Sequence, residues 1–292
     1  MKKFLRAAGY TAGTALLLLG LVYFIAWRSP KYYRTTTAHG AYPIVAFKDY
    51  NGEHPRPYVI GTSAVTVFGA AHTRDPKDSQ IALIDSRWKA LRPTVALVEG
   101  RLGFLLPGLM DPVKNLGEGG HVKALAAADG IPVYNWDLDK ETLAHSLAKQ
   151  FSPAQVALAQ VLNPYFGQLR FGKPSDPAAF LAPFFGRAKY VGFQDSLRTV
   201  ADIDRYWQRY FPGTDWRGVS DETALPGYLA DMMAAGNDLR NQQLVAAVRE
   251  LTAKGERVFV LCGSSHAFCV APSFTSARAA APLSATRDLA DL

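Results

Sequence analysis

The feature that most constrains the fold of this chain is an alternation of short apolar runs with stretches of helical periodicity. Residues 64–68 (AVTVF), 94–98 (TVALV) and 131–134 have the pattern of strands, and helical patterns at 75–91 and 119–129 separate them. The order strand, helix, strand, helix, strand predicts a parallel sheet with crossover helices. We therefore expect an α/β fold, with a mostly parallel central sheet flanked by helices.

Further strands and a late helix extend this pattern. Strand-like runs come first at 43–47 and 58–61, and a helix at 237–253 leads into the apolar run 258–262. The middle of the chain, about 140–236, is helical in pattern and rich in aromatic residues. We expect it to form a helical insertion between two halves of the sheet, with its aromatic side chains in a core.

Composition excludes several classes of protein. The length of 292 residues suits one large domain or two small ones, and 49% hydrophobic with 20% charged residues excludes a disordered or fibrous chain. Lys and Arg exceed Asp and Glu by 32 to 25, which gives a net charge of +7. These basic residues are scattered, and no basic run alternates with aromatic residues. We therefore expect no nucleic-acid partner.

The N-terminal region contains an apolar stretch of membrane-spanning length. Residues 7–27 carry no charge over 21 positions, and as a helix they would extend about 31 Å, enough to cross a hydrocarbon core. Lysine and arginine flank both ends, and Tyr23 and Trp27 suit the membrane interface. Because a small-residue cleavage pattern is missing, the sequence predicts an uncleaved transmembrane signal anchor.

The anchor determines the expected organisation of the whole chain. Residues 1–6 would be a cytoplasmic stub, since a short N-terminus before a large domain usually places that domain outside the cytoplasm. We expect a linker at 28–41, an α/β domain at 42–274 and a peripheral tail at 275–292. The predicted location is the cell membrane, with a single span and an extracytoplasmic domain.

The chain contains two cysteines, Cys262 and Cys269. This number excludes a disulfide-rich scaffold and a zinc site built from four cysteines. The two residues either form a disulfide outside the cytoplasm or act as small buried hydrophobic residues. We favour the second interpretation.

A pattern of an apolar strand followed by Gly-x-x-His occurs twice and is the most informative feature for function. It places His72 and His266 just after two predicted strands, and Glu99 ends a third apolar run. Ligands of open parallel sheets gather outside the carboxyl ends of the strands, so these three side chains can face one crevice. Two imidazoles and a carboxylate can hold a divalent metal, or they can position a water as general acid and base without one.

Four further residues are candidates for the same site. Arg240 lies on the predicted buried face of the helix at 237–253. A guanidinium there either pairs with a carboxylate or an anionic transition state, or reaches solvent while its apolar side-chain stem packs along the core. Glu118 and His121 share a helix face, as metal ligands or as a first-turn carboxylate and a surface histidine. Asp137 follows the strand-like run 131–134 and is an additional candidate.

Four short motifs resemble the TraB/Tiki/GumN group, which is related to the erythromycin esterases and to the ChaN haem-binding lipoproteins. They are Gly69-Ala70-Ala71-His72, Val98-Glu99-Gly100, Arg240-Asn241 and Gly263-Ser264-Ser265-His266. The resemblance covers about 64–137 and 237–270 but not the aromatic middle. It implies one cleft lined by the following residues: His72, Glu99, Arg240 and His266. Ala70 stands where the esterases have a glutamate, which favours Tiki-like over esterase-like chemistry.

The resemblance implies a membrane-anchored extracytoplasmic hydrolase, metal-dependent and protease-like, with a peptide or small-molecule amide or ester as substrate. In this hypothesis His72 and His266 bind a divalent metal such as Mn, Co or Zn, and Glu99 is a ligand or general base. Arg240 would stabilise developing oxyanion charge. The alternatives are a non-enzymatic haem- or metal-binding protein of the ChaN type and a catalytically silent scaffold.

Overall fold

The computed structural model describes residues 20, 28–36, 42–169, 172–221 and 224–275. The predicted cytoplasmic stub, the apolar stretch 7–27 apart from Gly20, and residues 276–292 of the predicted tail lie outside this described part. Within the described residues, no helix combines the length and the apolar character needed to span a membrane.

The described residues contain a six-stranded mixed sheet in the order β1-β5-β4-β6-β3-β2. Every neighbouring pair is parallel except β2 and β3, which are antiparallel. The predicted α/β fold with a mostly parallel sheet is therefore confirmed. The strands are β1 (Lys31–Tyr32), β2 (Tyr58–Gly61), β3 (Val65–Ala70), β4 (Val95–Val98), β5 (Val133–Asn135) and β6 (Val258–Gly263).

Helices connect and flank these strands. In the part of the chain that the structure describes, the α-helices are α1 (Ser79–Leu91), α2 (Pro112–Asp129), α3 (Lys140–Leu147), α4 (Pro153–Gln168), α5 (Pro177–Leu181), α6 (Val200–Tyr210), α7 (Tyr228–Ala253) and α8 (Ser264–Val270). Short 3₁₀ helices lie at Phe47–Asp49, Ala182–Val191, Trp216–Gly218 and Ala271–Ser273.

The chain divides into two compact units. The first, called the sheet unit here, comprises residues up to Pro43, Gly52–Asp137 and the chain from Leu244 onward. The second, called the helical unit, comprises Ile44–Asn51 and Leu138–Gln243. The helical unit contains the predicted insertion at about 140–236 and extends beyond it at both ends.

The core of the sheet unit forms around its two central strands. All residues of β3 and β6 are buried, which explains why both are continuous apolar runs rather than alternating ones. Helix α1 covers one face with buried Ile84 and Trp88, and the Trp88 ring lies 5.1 Å from that of Phe259. This packing fixes the strands whose ends carry the candidate site.

The helical unit has a core of its own, made largely of aromatic side chains. Trp207 and Trp216 are buried, and the ring of Tyr165 meets that of Trp216 edge to face at 4.9 Å. Capping boxes at Ser152 and Thr199 begin helices α4 and α6. The expectation that these aromatic residues form a core is therefore confirmed.

Several predicted element boundaries differ from the structure. Residues 43–47 are not a strand: they run without regular pairing into a 3₁₀ helix, and the Phe47 N–H donates to Asp238 Oδ1 at 2.8 Å. Helix α1 begins after the N-cap Asp78 rather than at Asp75. Helix α7 begins at Tyr228, well before residue 237. For α1, Asp75 resembled the N-cap that the structure places at Asp78.

The segment predicted as a linker contributes to the sheet. Residues Lys31 and Tyr32 pair with β5 as the parallel edge strand β1, and the Tyr33 N–H continues the ladder to the Asn135 carbonyl at 2.7 Å. Two residues are too few to show any hydrophobic periodicity, so no strand pattern is visible in this segment.

Cys262 and Cys269 are both buried, and their sulfurs are not joined in a disulfide. The favoured interpretation, two small buried hydrophobic residues, is therefore confirmed. The Cys262 thiol lies 3.9 Å from the Phe68 carbonyl on the neighbouring strand β3.

Candidate functional site

The candidate site lies at the carboxyl edge of the sheet. Strands β5, β4, β6 and β3 are parallel neighbours, so their carboxyl ends meet at one edge. The residues that follow them include these candidates: His72 after β3, Glu99 after β4, Asp137 after β5 and His266 after β6.

Glu99 is held between the end of β6 and the imidazole of His266. Its Oε2 accepts the Gly263 N–H at 2.7 Å, and its Oε1 lies 3.7 Å from His266 Nε2. The side chain of Glu99 is 26% exposed and that of His266 only 6%. One carboxylate oxygen is therefore fixed by the backbone, and the other faces a buried imidazole at a distance longer than a direct hydrogen bond.

His72 lies against the same glycine. A Cβ atom at Gly263 would lie 3.3 Å from His72 Nε2 and 3.6 Å from Glu99 Oε2, so glycine lets both side chains approach the backbone of β6 closely. The His72 side chain is 60% exposed, and its backbone has a positive φ of 42°. This conformation is uncommon outside glycine and is found at functional turns.

His266 lies on a helix rather than on the predicted turn. Helix α8 begins directly after β6, so the Gly-x-x-His motif spans the junction between strand and helix. The His266 ring meets the Trp136 ring edge to face at 5.4 Å, and Trp136 Nε1 donates to the Leu261 carbonyl at 3.0 Å. Trp136 therefore orients the imidazole. The sequence feature that could have pointed to Trp136 is its position directly after strand β5.

Glu118 joins the site through the turn that carries His72. Its Oε1 accepts the Thr73 N–H and lies 3.9 Å from His72 Nδ1. This placement depends on a break in helix α2 at Gly117, where φ is 64° and ψ is −157°. Because a side chain at residue 117 would be strained and would lie 3.1 Å from the Thr73 carbonyl, glycine is needed there.

The predicted start of helix α2 at Gly119 was wrong because the helix contains this break at Gly117. The sequence GEGG suggested a beginning at Gly119, whereas α2 begins at Pro112 behind the N-cap Asp111 and includes the break. A Pro at N1 after an acidic N-cap was the available signal.

The remaining candidates are His121, Asp137 and Arg240, and Arg240 belongs to the helical unit. His121 Nε2 contacts Asp85 Oδ1 on helix α1 at 2.7 Å. Glu118 instead contacts Thr73 and His72, so the two residues do not share a partner. Asp137 is buried, and its N–H donates to Asn135 Oδ1 at 3.0 Å. Arg240 belongs to the helical unit, where its Nη1 donates to Asn237 Oδ1 at 3.0 Å. Its place in the cleft stays a prediction.

The side chains present do not make up the divalent metal site that the resemblance implies. Among the described residues, no three His, Cys, Asp or Glu side chains converge as a group able to hold a metal ion. Glu99 commits one oxygen to the Gly263 N–H, and a Cβ atom at that glycine would lie 3.3 Å from His72 Nε2. The arrangement instead pairs one carboxylate with one imidazole and adds a second, exposed imidazole.

Comparisons of the chain with protein-family models, with curated proteins and with solved structures gave no match.

Proposed function

We propose that this protein is a membrane-anchored, extracytoplasmic hydrolase whose water-activating centre is Glu99 with His266 and His72. The observation that carries the proposal is the position of Glu99. The Gly263 N–H fixes its Oε2, and its Oε1 lies 3.7 Å from a buried imidazole nitrogen. Each of the two groups can reach a water oxygen placed between them. The substrate class follows from the resemblance: a peptide, or another amide or ester.

Glu99 serves as general base in this mechanism. Its Oε1 takes a proton from the water as the water oxygen attacks the substrate carbonyl carbon, and the carbonyl π electrons move to oxygen. His266 holds the attacking water through Nε2 and is itself oriented by the Trp136 ring. Because Gly263 holds the other carboxylate oxygen, the base is positioned before the substrate arrives.

His72 serves as the acid that completes the reaction. When the tetrahedral intermediate collapses, the C–N or C–O bond breaks and the leaving group needs a proton. His72 Nε2 and Glu99 Oε2 both lie close to Gly263, and the His72 side chain is 60% exposed, which suits a group that meets substrate. Glu118 Oε1 accepts the Thr73 N–H and lies 3.9 Å from His72 Nδ1, so it holds the turn that carries this imidazole.

The membrane part of the proposal depends on the sequence. The uncharged stretch 7–27 is long enough to cross a bilayer as a helix, and the short basic segment before it favours an extracytoplasmic domain. Protease protection in sealed vesicles tests the orientation, since an extracytoplasmic domain would be cleaved only from its own side.

The test of the chemistry compares two glutamate variants of the full chain in detergent. Glu99→Gln keeps the size and one acceptor but removes the base, and we expect it to lower hydrolysis of peptide, amide or ester substrates by about 10²–10⁴-fold. Glu141→Gln, at an exposed first-turn position of α3, is the matched control and should retain activity. A fully active Glu99→Gln protein would contradict the proposal.

Metal analysis and an absorption spectrum separate the alternatives. We expect activity to persist after treatment with a chelator. Loss of activity that Mn, Co or Zn restores would replace the proposed mechanism with the metal-dependent one. A Soret band in the purified protein, without hydrolysis, would favour the haem-binding alternative.

A further inference from the structure

The loop that follows Glu99 exposes an apolar tip. Among the described residues, the large hydrophobic side chains that stand out as exposed are Phe104, at 57%, and Leu109, at 81%. Both lie in residues 102–110 (LGFLLPGLM), called the apolar loop here. Two large exposed hydrophobic side chains in one short loop can form a contact surface, whereas single exposed hydrophobic residues are ordinary.

Two buried leucines and a tight turn position the exposed tip of the apolar loop. Leu102 and Leu105 are buried, 6% and 1% exposed, and anchor it to the sheet unit. The tip is a type II turn, with Pro107 at its second position and Gly108 at φ 78° at its third, closed by the Leu109 N–H on the Leu106 carbonyl at 3.2 Å. Leu109 is therefore held outward by the backbone.

The apolar loop is fastened to the chain segment that directly follows the uncharged stretch. Ser29 Oγ donates to the Leu102 carbonyl, and Lys123 Nζ donates to the Arg28 carbonyl. The uncharged stretch ends at Trp27, and two residues extend at most about 7 Å. A membrane span that ends at residue 27 thus places Leu102, and the loop beyond it, beside the bilayer surface.

The charges next to the apolar loop are those that lipid headgroups attract. Exposed Arg101 precedes it, and exposed Lys114 lies in the first turn of α2 after it. Asp111, between the loop and Lys114, is engaged as the N-cap of α2. An apolar tip flanked by cationic side chains fits the interface of a bilayer that contains anionic lipids.

We infer that the apolar loop inserts Phe104 and Leu109 into the lipid interface beside the anchor, so that the Glu99 centre faces substrates held at the membrane surface. This inference rests on the proposed membrane-anchored hydrolase and adds the location of its substrate. Glu99 lies three residues before Leu102, so a loop tip fixed in the interface keeps the carboxyl edge of the sheet close to the lipid headgroups.

The test measures the depth of a fluorescent label on the full chain in vesicles of phosphatidylcholine and phosphatidylglycerol. Leu109→Cys carries an environment-sensitive label such as NBD, and buried Cys262 and Cys269 are checked with the unsubstituted protein. The matched control is Lys89→Cys in the last turn of α1. That helix end lies at the opposite edge of the sheet, because the Leu91 carbonyl accepts from Arg257, which directly precedes β6.

We expect the label at 109 to shift to shorter wavelength and to be quenched by lipids with a spin label near the headgroup, and the label at 89 to show neither change. Equal quenching at both positions would overturn the inference. A blue shift without lipid quenching would also overturn it, since the loop would then lie against protein.

Flotation of the same vesicles tests the membrane anchor separately from the insertion of the apolar loop. Protein that floats but shows no quenching at 109 refutes the loop insertion alone. Protein that does not float refutes the anchor and the insertion together. Hydrolysis is measured separately, so failure of the Glu99 mechanism leaves the depth result intact.

Discussion

Gly263 brings the carboxylate and the exposed imidazole of the candidate site together. Its N–H binds Glu99, and a Cβ atom there would lie 3.3 Å from His72 Nε2. Its backbone, with φ −63° and ψ 148°, is accessible to any residue. Gly263→Ala therefore changes the site without straining the backbone.

We expect Gly263→Ala to fold with a loss of stability below about 1 kcal/mol and to lose hydrolytic activity, because the added methyl group displaces the imidazole. Melting temperature and kcat/KM, measured on the same preparation, check this. An alanine variant with unchanged activity would remove His72 from the mechanism.

Glu118 supports the turn between β3 and α1. Replacing it with alanine removes the acceptor of the Thr73 N–H, and an unsatisfied buried group costs about 1–3 kcal/mol. Glu118→Gln keeps an acceptor and should restore most of that stability. Because Glu118 also lies 3.9 Å from His72 Nδ1, Glu118→Gln should still lower kcat if this contact positions the imidazole for proton donation. A glutamine variant with the wild-type kcat would restrict Glu118 to a structural role.

The sequence could predict His72, Glu99 and His266 as neighbours because each follows a continuous apolar run, and parallel strands end at one edge. The roles of Trp136 and Thr73 could not be found in this way. Trp136 acts through a ring contact to a residue 130 positions away, and the contact of Glu118 with Thr73 needs the non-helical backbone of Gly117. Neither feature leaves a periodic pattern.

At the level of elements, helix α8 packs on strand β3 with almost no space between them. A Cβ atom at Gly69 would lie 2.5 Å from Ala267 Cβ, 2.8 Å from Ser264 Cα and 2.9 Å from the Tyr58 carbonyl. Two of these are backbone atoms, which cannot move away by a side-chain rotation. The close packing holds α8, and with it His266, at the end of the sheet.

Gly69→Ala should therefore destabilise the protein by about 1–3 kcal/mol. Gly61→Ala is the matched control: Gly61 also lies in a strand, and its Cβ would meet nothing within 4 Å. Thermal or denaturant unfolding of the two variants gives the comparison. Equal stability of both would show that α8 can move away from β3.

Strands inside the sheet were predictable from the sequence, whereas elements at its margins were not. The runs in β3, β4 and β6 are buried at every position and, apart from Thr66, carry no polar side chain of the usual surface kind, because both faces are covered. Residues 44–47 have a similar composition but belong to the helical unit, where the Phe47 N–H bonds to Asp238 rather than to a strand. The secondary structure of such a short segment depends on its tertiary partners rather than on its composition.

At the scale of the whole molecule, Glu250 fastens the segment after the apolar stretch to the end of helix α7. Its carboxylate accepts from the Tyr33 hydroxyl at 2.9 Å, from the Thr36 N–H at 2.8 Å and from Lys254 Nζ at 2.8 Å. Burial opposes ionisation of this carboxyl, but the hydrogen bonds from Lys254, Thr36 and Tyr33 outweigh it and lower the pKa of Glu250 to about 2.

This shift makes part of the folding free energy dependent on pH. The ordinary pKa of the carboxyl is 4.5, so its unfolded form takes up a proton first as the solution is acidified. The stabilisation is complete above that value and is lost as the pH falls toward 2. Asp202, whose pKa is also lowered to about 2, contributes equally to wild type and to a Glu250 variant.

We therefore expect the difference in stability between wild type and Glu250→Gln to be constant from pH 7 to about 5, where the ordinary carboxyl is ionised, and to shrink below that. Thermal unfolding of both proteins across this range measures it, and Glu141→Gln controls for the loss of one negative charge. A difference that does not change on acidification would mean that the contacts of Glu250 do not depend on its charge. If the difference vanishes as expected, the same titration should release residues 33–36 from α7, while the pairing of β1 with β5 would still hold Lys31 and Tyr32.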